Sequence, residues 1–127
     1  MAILCGVDII EVDRIKHSIE NLGQSFKDRI FSPGEIQYCE DKKASKYQCY
    51  AARFAAKEAV AKAFGTGLGS KLDWREIEIY NDEWGKPYVA LLGKAKDLFK
   101  EINAVNISLS LSHCKTYAIA YAVIEVK

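Results

Sequence analysis

The stretch that decides the fold is Ser45-Lys46-Tyr47-Gln48-Cys49-Tyr50-Ala51-Ala52-Arg53-Phe54-Ala55-Ala56-Lys57-Glu58-Ala59-Val60-Ala61-Lys62-Ala63-Phe64. It contains no proline or glycine and is dominated by alanine and other residues of good helix propensity, so it predicts the longest helix in the chain. Ser45 followed by Gln48 has the pattern of a capping box, and Gly65-Thr66-Gly67-Leu68-Gly69 supplies the stop. At 100° per residue Tyr47, Tyr50, Phe54, Glu58 and Ala61 share one stripe, which places the Glu58 carboxylate toward the core. Buried charge requires satisfaction by a lysine, a hydrogen-bond network or a metal.

Outward from this helix, the N-terminal segment reads as a strand from Ala2 to Ile10. Ile3, Cys5, Val7 and Ile9 lie on one face, and Leu4, Gly6, Asp8 and Ile10 on the other. Asp8 then points inward with the same need as Glu58. A short helix follows, capped by Asp13, with Ile15, Ile19 and Leu22 on its apolar side, Gly23 as its end, and Arg14 and Lys16 toward solvent. Ser32-Pro33-Gly34-Glu35 is a second capping box with proline at the first helical position.

Beyond the glycines the periodicity changes to two. Ile77 and Ile79 alternate with polar neighbours, Asn81 to Gly85 turns, and Pro87 to Leu92 returns as a hairpin. Ala95, Leu98, Phe99 and Ile102 form a helical stripe. Ile107, Leu109 and Leu111 then alternate with three serines, and His113 continues their side. Thr116 to Val126 is almost continuously apolar, as expected of a strand covered on both faces. The expected class is therefore α+β: one domain over 1–127, with a long central helix packed on a mainly antiparallel sheet.

The net charge of +1 gives no reason to expect nucleic acid, and no apolar run is long enough to span a membrane. Met1 leads into a strand-like segment rather than a signal peptide, so a cytoplasmic location is expected. Cys5, Cys39, Cys49 and Cys114 show neither Cys-x-x-Cys nor finger spacing, which argues against zinc and against a disulfide framework. Cys5 and Cys49 read as small apolar filler.

On spacing alone two readings of the charged residues stand side by side. In one, Glu58 pairs with Lys62 at i+4, Asp8 is a satisfied core aspartate, Lys57 is solvated and His113 bonds backbone. In the other, Asp8 and Glu58 share a magnesium ion that takes a substrate phosphate as further ligand, Lys62 meets another phosphate oxygen, and the same helix adds the positive charges of Arg53 and Lys57. The glycine cluster after the helix is no dinucleotide fingerprint, since it follows a helix instead of joining a strand to one. Gly65 is first a C-cap, with an exposed backbone able to touch a ligand.

Gly6-Val7-Asp8-Ile9-Ile10-Glu11-Val12-Asp13-Arg14-Ile15 resembles the opening motif of bacterial holo-acyl-carrier-protein synthases. Arg53-Phe54-Ala55-Ala56-Lys57-Glu58-Ala59, with Lys62-Ala63-Phe64-Gly65-Thr66-Gly67, resembles their second signature. Ile30-Phe31-Ser32, Asn81-Asp82, Gly85-Lys86-Pro87 and Leu109-Ser110-Leu111-Ser112-His113 match in order, so the resemblance spans the chain. It implies a 4'-phosphopantetheinyl transferase fold and a magnesium-dependent transfer from coenzyme A to a serine of acyl carrier protein. By the same resemblance Asp8 and Glu58 are the metal ligands and Lys62 contacts the diphosphate. Arg53, His113 and Thr116 hold phosphates, Gly85-Lys86-Pro87 lies against the adenosine end, and Arg14 docks the carrier protein. A homotrimer with sites between subunits is implied as well. From Lys16 to Lys27 the chain has fewer arginines than some relatives, and Glu20 intrudes. The competing expectation is a non-catalytic module that binds a nucleotide or an acidic partner through Arg14, Lys16 and the basic helix face.

Overall fold

A computed structural model describes residues 1–127. Strand β1 (Ala2–Glu11) runs directly into helix α1 (Val12–Leu22), followed by α2 (Gln24–Ile30) and α3 (Pro33–Glu40). A short 3₁₀ turn at Lys43–Ser45 leads into the long helix α4 (Lys46–Phe64). The second half comprises β2 (Ile77–Asn81), β3 (Pro87–Leu91), α5 (Gly93–Glu101), β4 (Ala104–His113) and β5 (Tyr117–Val126). The expected α+β architecture is observed. β5 lies between β1 and β4 in a three-stranded antiparallel sheet, and β2 and β3 form a separate antiparallel pair. No helix is long and apolar enough to cross a membrane.

Helix α4 lies across the inner face of β1 and β5, and its alanines explain why it can. Ala51, Ala52, Ala55, Ala56, Ala59, Ala61 and Ala63 are all buried, and their short side chains let the backbones approach. The closest approach is at Gly6, where a methyl group would meet the Ala59 carbonyl and sit 2.6 Å from the Ala63 nitrogen. Larger side chains close the rest of the core: Ile10, Ile15, Ile19, Phe26, Ile30, Phe31 and Tyr50, with Ile77 and Ile79 from β2. Each such side chain buried contributes about 1.5–3 kcal/mol.

Several expectations are corrected. The stripe is the core face only in part: Tyr50 and Ala61 are fully buried, but Tyr47, Phe54 and Glu58 are half-buried, and the alanine-rich sides are the ones that fit against the sheet. Ser45 does not cap α4. Its φ of −93° and ψ of 8° lie near helical geometry at the end of the 3₁₀ turn, and its hydroxyl makes no cap bond. The first helix starts at Val12, which puts Asp13 in its first turn, where it favours the helix dipole rather than capping it. α2 was not anticipated; Phe26 and Ile30, four apart and both buried, are its only local signal. The Ser32 capping box forms as expected.

β5 is covered on one face only. Ala118, Ala120, Ala122 and Ile124 are buried against α4, while Tyr117, Ile119 and Tyr121 are exposed beside Ile3, Val7 and Ile9 of β1. One helical layer covers one side of a sheet, and this chain has nothing to place on the other. Cys5 is on that outer face and exposed, so it is not core filler.

Candidate active site

Asp8 and Glu58 are 50 residues apart in sequence (58 − 8) and are brought together by the close contact of β1 with α4. Asp8 points inward, its side chain 17% exposed, and Lys62 lies with its Nζ 3.1 Å from Asp8 Oδ1 and 3.0 Å from the Val7 carbonyl. Lys62 therefore pairs with Asp8 across the elements, and the expected Glu58–Lys62 pair along the helix is not among the ion pairs. Glu58, one turn before Lys62, is held above the usual carboxylate range. Burial is the main cause and the Asp8 charge adds to it, with Lys62 acting in the opposite direction.

Two carboxylates thus stand beside one lysine, which pairs with Asp8 alone. No third aspartate, glutamate, histidine or cysteine joins them to make a closed cage. Two hard oxygen donors with open positions suit a magnesium ion, which takes one or two carboxylates and completes its shell from water and phosphate. Gly65 follows one turn after Lys62, exposed and left-handed at φ 82°, with its N–H bonded to the Lys62 carbonyl.

A second group surrounds a cavity of about 390 Å³ lined by Arg53, Asn81, Gly85, Pro87, Leu111 and His113 among others. Arg53 is buried at 2% exposure. Its Nη2 donates to Asn81 Oδ1 at 2.6 Å, its guanidinium lies 4.2 Å from the centre of the Tyr38 ring, and its Nε has no partner. A buried donor without an acceptor is costly, so this nitrogen is a natural place for an anionic ligand atom.

The β2–β3 turn is held by its own polar groups. Asn81 Nδ2 donates to the Gly85 carbonyl at 3.0 Å, and Asp82 Oδ1 accepts from the Trp84 and Lys86 N–H groups, each at 2.9 Å. Gly85 adopts φ 83°, which its position in the turn requires and which side chains resist. His113 is exposed at the end of β4 and lines the cavity.

Other candidate residues stand apart. Lys86 is exposed, with its Nζ 5.5 Å from the centre of the Tyr88 ring, and does not line the cavity. Thr116 is exposed in the turn before β5. Arg14 is exposed on α1. Lys57 corrects the expectation of a solvated or ligand-facing charge. It is fully buried, 2.8 Å from an equally buried Glu35. Burial pushes the Lys57 ammonium below its ordinary range, and the Glu35 charge opposes that shift. The sequence reads Glu35 as a capping residue and Asn81 as the start of a turn within a motif of the resemblance. Their reach to Lys57 and Arg53 has no local signal.

Residues 4–122 match the model of the 4'-phosphopantetheinyl transferase superfamily. The chain belongs to that superfamily. A holo-[acyl-carrier-protein] synthase of Ruminiclostridium cellulolyticum is 60% identical over 126 residues, covering 99% of this chain and 94% of the relative. One from Solibacter usitatus is 45% identical over 98% of this chain and 99% of its own. Among solved structures, holo-[acyl-carrier-protein] synthase from Neisseria meningitidis superposes with a TM-score of 0.86 at 34% identity, covering 96% of this chain and 97% of that one. The Helicobacter pylori enzyme in complex with coenzyme A gives 0.83 at 33% identity, covering 96% and 100%. This phosphopantetheinyl transferase is thus an enzyme of the holo-acyl-carrier-protein synthase type. Its long helix and antiparallel sheet are those of its structural relatives.

Proposed function

We propose that this transferase moves 4'-phosphopantetheine from coenzyme A to a serine of apo-acyl carrier protein, releasing adenosine 3',5'-bisphosphate, with magnesium held by Asp8 and Glu58. The observation that carries the reading is the convergence of Asp8, Glu58 and Lys62, in which the one ammonium pairs with Asp8 and leaves Glu58 without an ion-pair partner while burial already disfavours its ionised form. A divalent cation relieves that imbalance. When bound, it would supply positive charge to the diphosphate of coenzyme A.

In this reading the serine oxygen attacks the β-phosphorus, and the bond to the leaving phosphate breaks as the new ester forms. Lys62 Nζ supports the charge that develops on the phosphate oxygens. Glu58, directly or through a water, is the carboxylate placed to accept the serine proton. Arg53, with its unpartnered Nε, together with His113 and Thr116 holds the phosphates, and Gly65 offers its exposed backbone. Gly85-Lys86-Pro87 lies against the adenosine.

Arg14 meets the acidic carrier protein. The working form is a cytoplasmic homotrimer in which each chain, one domain over 1–127, gives Asp8, Glu58 and Lys62 to one site and its hairpin to the next. That neither Asp8, Glu58 nor Lys62 lines the cavity beside the hairpin supports this division. The product, a holo-carrier protein, serves fatty acid biosynthesis. Mass spectrometry tests the activity. Apo-carrier protein incubated with coenzyme A, magnesium and the enzyme should gain one phosphopantetheine on its serine. No mass change across several apo-carriers would refute the proposal.

A further inference from the structure

The buried pair of Glu35 and Lys57 takes no part in the proposed chemistry, yet every polar atom of it is used. Lys57 Nζ is 2.8 Å from Glu35 Oε1 and donates to the Ile77 carbonyl at 2.6 Å and the Trp74 carbonyl at 3.0 Å. Glu35 Oε1 also accepts the Ser32 N–H at 2.8 Å, and Oε2 accepts the Ile79 N–H at 2.7 Å.

The Ile77 carbonyl and Ile79 N–H belong to the edge of β2 that faces away from β3, since β2 and β3 stand alone as a two-stranded sheet. Such an edge normally needs another strand or water. Here a carboxylate and an ammonium, one from α3 and one from α4, occupy the place of a third strand.

The strand held in this way leads straight to Asn81, which is bonded to Arg53 and to the Gly85 carbonyl. Arg53 and Lys57 are one turn apart on α4. The helix therefore grips β2 twice, at its base through Lys57 and at its tip through Arg53. Only the second grip touches the cavity.

We propose that Glu35 and Lys57 are positioning residues that fix the register of β2 on α4, and thereby set the Asn81–Pro87 turn at the height over Arg53 that binding of coenzyme A requires. This rests on the cavity being the coenzyme A phosphate and adenosine site. Replacing a buried ion pair by uncharged groups of similar volume is often tolerated by the fold, whereas removing one partner is not, so the informative variant changes both. Its effect then falls on register rather than on an orphaned charge.

The test uses the full-length Glu35→Gln/Lys57→Met double variant, with its folding checked by thermal unfolding. Calorimetry with adenosine 3',5'-bisphosphate and steady-state kinetics supply the readouts. The expected result is a loss of nucleotide affinity and a rise in KM for coenzyme A of about tenfold, the scale of one misplaced hydrogen bond. The carrier-protein KM should remain within about twofold. Unchanged nucleotide affinity in the folded variant overturns the proposal. So does a decline in every parameter in proportion to the folded fraction, since that marks a role in stability alone.

Hydrogen exchange on the wild-type enzyme gives an answer even if the variant does not fold. The Ile79 amide and the 81–86 amides should slow together when the nucleotide binds. Slowing confined to 81–86 overturns the coupling. Arg53→Gln separates the two levels of the argument: unchanged nucleotide affinity in that variant removes the cavity reading itself, and the positioning role with it.

Discussion

Adding one methyl group at Gly6 should disable the enzyme by moving the strand that carries Asp8. A Cβ at this position would sit 2.6 Å from the Ala63 nitrogen and 3.0 Å from Lys62 Cβ, and would press on the Ala59 carbonyl. Ordinary contact begins at 3.4 Å, so β1 must withdraw from α4 by at least about 0.8 Å. The obstacles at Ala59 and Ala63 are helix backbone, which cannot turn aside as a flexible side chain can. Overpacking of this kind costs about 1–3 kcal/mol, or a fall in Tm of roughly 3–15 °C for a chain of this size.

The functional loss should exceed what unfolding accounts for. Asp8 lies two residues along the same strand face, and a displacement of about 1 Å in a catalytic constellation can cost on the order of a hundredfold in rate. Gly6→Ala should therefore be folded at 20 °C yet turn over coenzyme A about a hundred times more slowly. Thermal unfolding followed by circular dichroism, with holo-carrier formation measured on the same preparation, checks both parts. A variant with wild-type Tm and wild-type turnover would refute the claim that the contact at Gly6 sets the geometry of the carboxylates.

Glu58→Gln should lower turnover by about a hundredfold or more while raising stability at pH 7. The folded pKa of Glu58 lies above its unfolded value, so its stabilising contribution is present below the unfolded pKa and is lost as pH rises through the folded one. The gain in Tm should accordingly vanish near pH 4, and magnesium should stabilise the wild type but not this variant at pH 7. Arg14→Glu should raise the carrier-protein KM and flatten its salt dependence without changing the affinity for coenzyme A, as steady-state kinetics at several ionic strengths would show. Asp8→Ala and Lys86→Glu chains, each inactive alone, should recover activity after joint refolding if sites are shared between subunits. No recovery in demonstrably mixed trimers would reject the shared site.

Much of this architecture is legible from local pattern. Alternation in β1 assigns Asp8 to the inner face, Gly65 ends the long helix, and the Ser32 box starts α3 as its residues require. The errors have a common physical origin in elements whose surroundings are set by distant parts of the chain. Alanine gives a weak periodic signal, so the half-buried Phe54–Glu58 edge of α4 is mistaken for its core face, although alanine is what allows close packing. The unbroken apolar run in β5 implies cover on both sides, whereas one chain supplies it on one side only. In the site, Asp8 and Lys62 are legible as chemical types and their pairing is not, because the partners are 54 residues apart. Lys57 looks identical in sequence to a solvated lysine. Only the fold brings Glu35 to it.

The central position of β5 has a kinetic consequence. β1 precedes the other strands in the chain but finds its hydrogen-bonding partner in β5, with Gly6 opposite Ala122, and β4 pairs with that same strand. Non-local pairing of this kind slows folding, because closure of the loop must precede the contacts that reward it. While the chain is still emerging from the ribosome, the helices can form, but the inner face of β1 has only α4 to meet and its backbone edge stays open. A chain stopped before Tyr117 would leave β1 and β4 with no strand between them. Asp8 would then sit on a strand held by α4 alone, so the hydrogen-bonded frame behind the carboxylate pair must await β5.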